Sequence, residues 1–133
     1  MKSFRLKIVT PAGMAFDGDA ESLLIRTDDG DAEFLCGHAD YIASVGTGRA
    51  GIITWGVSRF ASCSGGFVSV TSGVVSLTAV TFEFAEDIDL KRAERAKADA
   101  EAKIQDAKDK RELELAEAKL KRALSRLNAA ELL

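Results

Sequence analysis

Hydrophobic residues change their spacing once along this chain of 133 residues. At the start they alternate, with Phe4, Leu6 and Ile8 set against Arg5, Lys7 and Val9, the period-two signature of a strand with one buried face. The run stops at Pro11-Ala12-Gly13. Strand signals continue at Phe16 and in residues 23–27, 33–35, 41–45, 52–57, 59–64, 66–71 and 74–80, separated by glycine-containing breaks. Short strands at this spacing predict an antiparallel sandwich or barrel. Trp55, Phe60, Phe67, Val70, Val74, Val75 and Leu77 are expected to fill its core, and Phe82 and Phe84 to join the last strand to the C-terminal third of the chain.

Beyond Asp87 the apolar step becomes three and four. One series runs Leu90, Ala93, Ala96, Ala100, Ile104 and Ala107, and a second runs Leu113, Ala116, Leu120, Ala123 and Leu127. These are two narrow seams on helices. All eleven glycines and the one proline lie at or before Gly73, so nothing in the tail breaks a helix outright. The chain therefore divides into an N-terminal antiparallel β-sandwich, residues 1–85, and a C-terminal two-helix antiparallel hairpin, residues 86–133. The bend region reads Gln105-Asp106-Ala107-Lys108-Asp109-Lys110, and Asp106 and Lys110 have the spacing of an i,i+4 pair. The pattern permits a hairpin without enforcing one. Alanine-rich seams remove little area, about 0.8 kcal/mol per methyl-sized group. A compact hairpin about 30 Å long and a straight rod roughly twice that are expected to be close in energy.

Composition narrows the partners. The chain is 47% hydrophobic and 29% charged, which suits one or two small domains with a modest core. The net charge is −3, and the tail carries as many acids as bases, so neither a nucleic-acid footprint nor a polybasic membrane patch is expected. No apolar run is long enough to span a bilayer, and Met1-Lys2-Ser3-Phe4-Arg5 lacks the apolar core of a secretory signal. Cys36 and Cys63 stand 27 positions apart and read as reduced packing thiols. Protein partners remain.

Three constellations resemble chemistry and fail on context. Gly46-Thr47-Gly48-Arg49-Ala50-Gly51 matches G-x-G-x-x-G but leads into the strand pattern Ile52-Ile53-Thr54 rather than a helix, so the anion-facing helix terminus is missing. Cys36, His38 and Asp40 look like nucleophile, base and orienter, yet alternate residues of one segment do not converge on a reacting atom. Asp28, Asp29, Asp31 and Glu33 lack cation-loop spacing, and the single histidine leaves no zinc set.

A fourth constellation depends on the hairpin. If the tail bends near residue 108, Arg92, Arg95, Arg122 and Arg126 meet at its open end. Four guanidinium groups repel unless neutralised. Either Asp89, Glu94 and Glu131 neutralise them, or an anionic ligand does, a nucleotide phosphate or a carboxylate-rich partner.

Taken together, Pro11-x-Gly13-x-x-Phe16-x-Gly18, Arg26-Thr27-x-x-Gly30, Gly37-His38-Ala39, Gly65-Gly66-Phe67-Val68-x-Val70 and Ala85-Glu86-Asp87-Ile88-Asp89 resemble, in order and spacing, the epsilon-subunit family of bacterial F-type ATP synthases. Cys36 and Asp40 stand where that family usually has proline. The resemblance implies a β-sandwich with a C-terminal helical hairpin, and a non-catalytic rotor subunit, on the cytoplasmic face of the bacterial inner membrane without inserting into it, that couples the gamma subunit to the c-ring. It implies a ring-facing acidic loop (Asp28, Asp29, Asp31, Glu33) and a gamma-facing edge (His38, Tyr41, Ile42). Extended along gamma, the tail would meet the catalytic beta and alpha subunits through basic residues such as Lys119 and Lys121 and restrain ATP hydrolysis. Some members bind ATP in the compact form through an Ile/Leu-Asp-x-x-Arg-Ala motif, here Ile88, Asp89, Arg92 and Ala93, with Glu83, Arg122 and Arg126 as further contacts. No cofactor is required; ATP would be a regulatory ligand. The alternative is a sandwich binding module whose tail forms an oligomeric coiled coil.

Overall fold

In the computed structural model, which describes residues 2–132, ten strands form two five-stranded sheets. In chain order they are β1 (Phe4–Thr10), β2 (Gly13–Ala20), β3 (Ser22–Thr27), β4 (Gly30–Leu35), β5 (Tyr41–Ser44), β6 (Gly48–Thr54), β7 (Val57–Ser64), β8 (Phe67–Thr71), β9 (Val74–Thr78) and β10 (Thr81–Phe84). One sheet has the order β2-β1-β9-β8-β5 and the other β10-β7-β6-β3-β4. All pairings are antiparallel except β1 with β9. The alternation seen in the sequence is the reason for the two layers: Leu6, Ile8, Leu23, Ile25, Ile52, Val68, Val70, Val75 and Leu77 point inward and are buried, around Phe34.

Four expectations about the core need correction. Trp55, Phe67 and Val74 are exposed, Trp55 by 87%, and Phe60 is half-buried. Phe67 and Val74 belong to the outward set of their strands, whose inward neighbours are Val68, Val70 and Val75. Trp55 is not in a strand at all. It and Gly56 form the two-residue turn between β6 and β7, both with positive φ (51° and 74°), the type I′ geometry that matches strand twist. Phe82 and Phe84, expected as a connector, lie on β10, which pairs with β7 at Phe84↔Ala61. Their rings meet edge to face at 5.1 Å.

The tail begins with one 3-10 turn, Ala85–Asp87, and continues as α1 (Leu90–Asp106) and α2 (Lys110–Ala130). Asp89 caps α1 by accepting from the Arg92 amide at 3.1 Å. The bend is encoded more firmly than the absence of glycine suggests. Asp109 accepts from the Glu112 amide at 2.8 Å, while Glu112 Oε2 accepts from the Lys108 amide at 2.9 Å. The two acids cap α2 from both sides of Asp109, and with Ala107 extended (ψ 128°) they end one helix and start the next. Asp106 and Lys110 consequently lie on different helices, and Lys110 pairs with Glu114 instead.

The two seams meet. Ala93 and Ala100 on α1 and Ala116 and Ala123 on α2 are buried, with Ile104, Leu113, Leu120 and Leu127 half-buried between them; Leu90, placed on the first seam by spacing, is 50% exposed. Because the seams cover each other within one chain, the apolar stripe an oligomeric coiled coil would need is already occupied. α2 lies against β6 and β7 on the outer face of the second sheet, while α1 packs chiefly on α2.

Candidate functional site

The turn from sandwich to tail is held by charge and by a ring. Arg59 of β7 lies over the face of Phe84, 3.7 Å from its centroid, and its guanidinium donates to Glu86 at 2.6 Å. That bond, with one from its own backbone, holds the Glu86 carboxyl below the usual carboxylate range. The last strand is therefore tied to the start of the tail whatever the helices do.

Directly beyond this junction is a cavity of about 370 Å³ lined by Glu83, Asp87, Ile88, Asp89, Arg92, Ala93, Ala96 and Arg126. Six of the seven residues expected to hold a nucleotide converge here: Glu83 from β10, Ile88 and Asp89 from the link before α1, Arg92 and Ala93 from its first turn, and Arg126 from the last turns of α2. Arg126 Nε donates to Glu83 at 3.2 Å, so one of the two arginines has a carboxylate partner. Arg92 forms no ion pair among the described residues, and Ile88, Ala93 and Ala96 supply an apolar wall. The arrangement offers a planar cationic fork beside an apolar surface, the groups a phosphate chain attached to a ring would use, although three carboxylates, Glu83, Asp87 and Asp89, face the two guanidinium groups. Arg122 and Arg95 are not part of this lining. Arg122 instead adds to the positive field around Lys119, whose ammonium titrates lower than usual, first because of the close approach of the like-charged Lys103, with slight desolvation and Arg122 adding to it.

The four acids fall on the β3–β4 hairpin. Thr27 fixes the turn by accepting from the Asp29 amide and donating to the Gly30 carbonyl at 2.7 Å, leaving Asp28 and Asp29 at the tip. Asp31 pairs with Arg26, and that bond lowers its carboxyl pKa. Glu33 accepts from Ser22 at 3.2 Å. His38, Tyr41 and the buried Phe34 form an aromatic group with centroids 4.9 to 5.8 Å apart. Ile42, 70% exposed, lies beside it on the edge strand β5.

This geometry also disposes of the triad-like trio. The His38 Nδ1–H donates to the Ala39 carbonyl at 2.7 Å, and Asp40 Oδ1 accepts from the Ser72 amide at 3.0 Å. Neither serves Cys36. The glycine motif leads into β6 rather than a helix. Among the described residues no cluster could hold a metal ion, and no helix is long and apolar enough to cross a membrane.

Comparison with known proteins gives one consistent family. The profile for the ATP synthase delta/epsilon chain β-sandwich domain matches residues 3–85, and the profile for the delta/epsilon chain long α-helix domain matches residues 86–131. The chain is 38% identical to an ATP synthase epsilon chain of Ruminococcus albus over 98% of both sequences. It is 36% identical to one of Bacillus velezensis, again over 98% of both. In three dimensions it is similar to a chain of the Euglena gracilis mitochondrial ATP synthase, with a TM-score of 0.83 and 25% identity, covering 97% of this chain and 81% of the other.

Proposed function

The chain belongs to the ATP synthase delta/epsilon family, and we propose that it is a two-position rotor subunit whose tail restrains ATP hydrolysis when extended and is held compact by a nucleotide. It is an epsilon subunit of the F-type ATP synthase central stalk, a non-catalytic accessory chain of that complex. In the finer reading the sandwich, residues 1–85, joins the gamma subunit through His38, Tyr41 and Ile42 to the c-ring through Asp28, Asp29, Asp31 and Glu33. The tail, residues 86–133, is the regulatory part. The complex would lie at the cytoplasmic face of the bacterial inner membrane, driven by protons or sodium ions.

The observation that carries this reading is how lightly the tail is docked. Its interface with the second sheet rests on small side chains, Ser125 and Ala129, with a Ser62–Ser125 hydrogen bond and the Arg126–Glu83 ion pair. Meanwhile Leu115 and Leu124 of α2 are 55% and 37% exposed, apolar surface that the docked position leaves in water. A partner covering those leucines favours the extended form by differential binding. A nucleotide held by Arg92 and Arg126 favours the compact one. The test is to end the chain after Asp87, which keeps the Arg59–Glu86 tie, and to assemble it with the remaining subunits. ATP hydrolysis by the complex should rise; unchanged hydrolysis would remove the inhibitory role.

A further inference from the structure

A second cavity, about 430 Å³, lies on the other side of α2 from the nucleotide candidate. Its walls are the outer face of β3 and β6 and the last turns of α2, including Arg26, Thr47, Arg49, Lys121 and Asn128. The Gly46–Gly51 motif, which has no helix to serve, borders it. Gly48 has a clear packing purpose there: a Cβ at this position would come within 3.1 Å of Arg26 Cβ and 3.3 Å of its Cγ, so glycine lets the Arg26 stem lie across β6. Arg26 is neutralised by Asp31. Arg49, from the sandwich, and Lys121, from the helix, form no ion pair among the described residues, although the Arg49 charge also acts on Asp31. Glu131 also borders the cavity, so three cations face two carboxylates.

We infer that this cavity is an oxyanion site, taking phosphate in inorganic or ester-linked form, in which Arg49 and Lys121 hold one anion between the sandwich and α2. The site exists only while the tail is docked, because Arg49 and Lys121 sit on the two parts that would separate. Binding therefore stabilises the docked form by RT ln(1 + [L]/Kd). It acts independently of the Arg92 cavity, and an acid at its rim, Glu131, competes with the ligand. The binding claim needs only the docked geometry, whereas the stabilising effect also rests on the two-position reading.

Calorimetric titration of the full chain with inorganic phosphate, then with ATP, tests the binding. Saturable phosphate binding near the millimolar range is expected. Arg49→Gln or Lys121→Gln should weaken it about tenfold, the scale of one charge-assisted hydrogen bond. Glu131→Gln should tighten it, and Lys7→Gln, on β1 of the other sheet, should leave it unchanged. If ATP displaces phosphate in the Arg92→Ala protein, the ester-linked form uses the site too; if it does not, the site takes the free ion. Absence of saturable phosphate binding, or Arg49→Gln and Lys121→Gln proteins that titrate like the unmodified chain, overturns the site. Hydrogen exchange of the α2 amides with and without phosphate reads the second part separately. Binding without added protection would refute the clamp and the two-position reading while leaving the site intact.

Discussion

Ser62 of β7 and Ser125 of α2 share a hydrogen bond of 2.8 Å, and both are buried, at 4% and 5% exposure. It is a buried polar link between sandwich and tail, set among small side chains that allow the helix to approach the sheet closely. Losing one partner costs more than losing both, because a single serine left behind is a desolvated hydroxyl without a mate. Ser125→Ala should therefore loosen docking by about 1 to 3 kcal/mol, while the Ser62→Ala and Ser125→Ala double variant should lie close to the unmodified chain. Exchange rates of α2 amides measure this. A single variant that is no looser than the double one would mean water replaces the lost partner.

The Arg59–Glu86 tie gives the junction a pH dependence of definite sign. The folded Glu86 carboxyl titrates below its ordinary value, so the link contributes fully above that ordinary value and is lost as pH falls through the lowered one. Arg59 and Glu86 are 33% and 44% exposed, and solvent screening limits the effect to a few tenths of a kcal/mol. Urea midpoints between about pH 6 and about pH 3 should fall less steeply for Glu86→Gln than for the unmodified chain.

The fold was legible where one physical signal dominated. Period-two runs such as Phe4-Leu6-Ile8 have one stable solution, a strand with its even positions inward. The alanine seams at Ala93, Ala100, Ala116 and Ala123 likewise needed a cover, and each other was the nearest one. Legibility failed where backbone and side chain disagreed. Trp55 is hydrophobic, yet a two-residue turn placed it at a tip, and the glycine after it was the available clue. The bend contains neither glycine nor proline; Asp109-x-x-Glu112 carries its stop signal in side-chain hydrogen bonds. At the nucleotide candidate, motif and hairpin register brought six residues together. Arg122 fell outside because the register places residues along a helix but does not settle which way a long side chain leans.

Trp55 offers a direct check on that turn. A bulky residue at φ 51° carries backbone strain of about 1 to 3 kcal/mol, whereas Asn-Gly is the preferred type I′ pair. Trp55→Asn should raise stability by about 0.5 to 1 kcal/mol, seen as a higher thermal midpoint. A lower midpoint would mean the indole makes a stabilising contact despite its 87% exposure.

The two thiols should separate by reactivity. Cys36 is exposed, whereas burial pushes the Cys63 thiol up to about 12, leaving almost no thiolate at neutral pH. A thiol reagent should label Cys36 rapidly in the folded chain and reach Cys63 only in denaturant. Rapid labelling of both in native buffer would mean β7 opens readily.

The nucleotide reading turns on Arg92. Arg126 is already engaged by Glu83 at 3.2 Å, so an incoming triphosphate must share or displace that carboxylate, while Arg92 meets it without such competition. Charge-assisted hydrogen bonds contribute about 1.5 to 3 kcal/mol, so Arg92→Ala should weaken ATP binding at least about tenfold in calorimetry. Arg126→Ala should cost more than the lost bond alone, because it also leaves Glu83 as a bare negative charge facing the phosphates. An Arg126→Ala loss smaller than that of Arg92→Ala would mean the Glu83 pair persists with ligand bound. No heat from the unmodified chain at about millimolar ATP would remove the nucleotide from the account. The compact tail would then depend on its protein contacts.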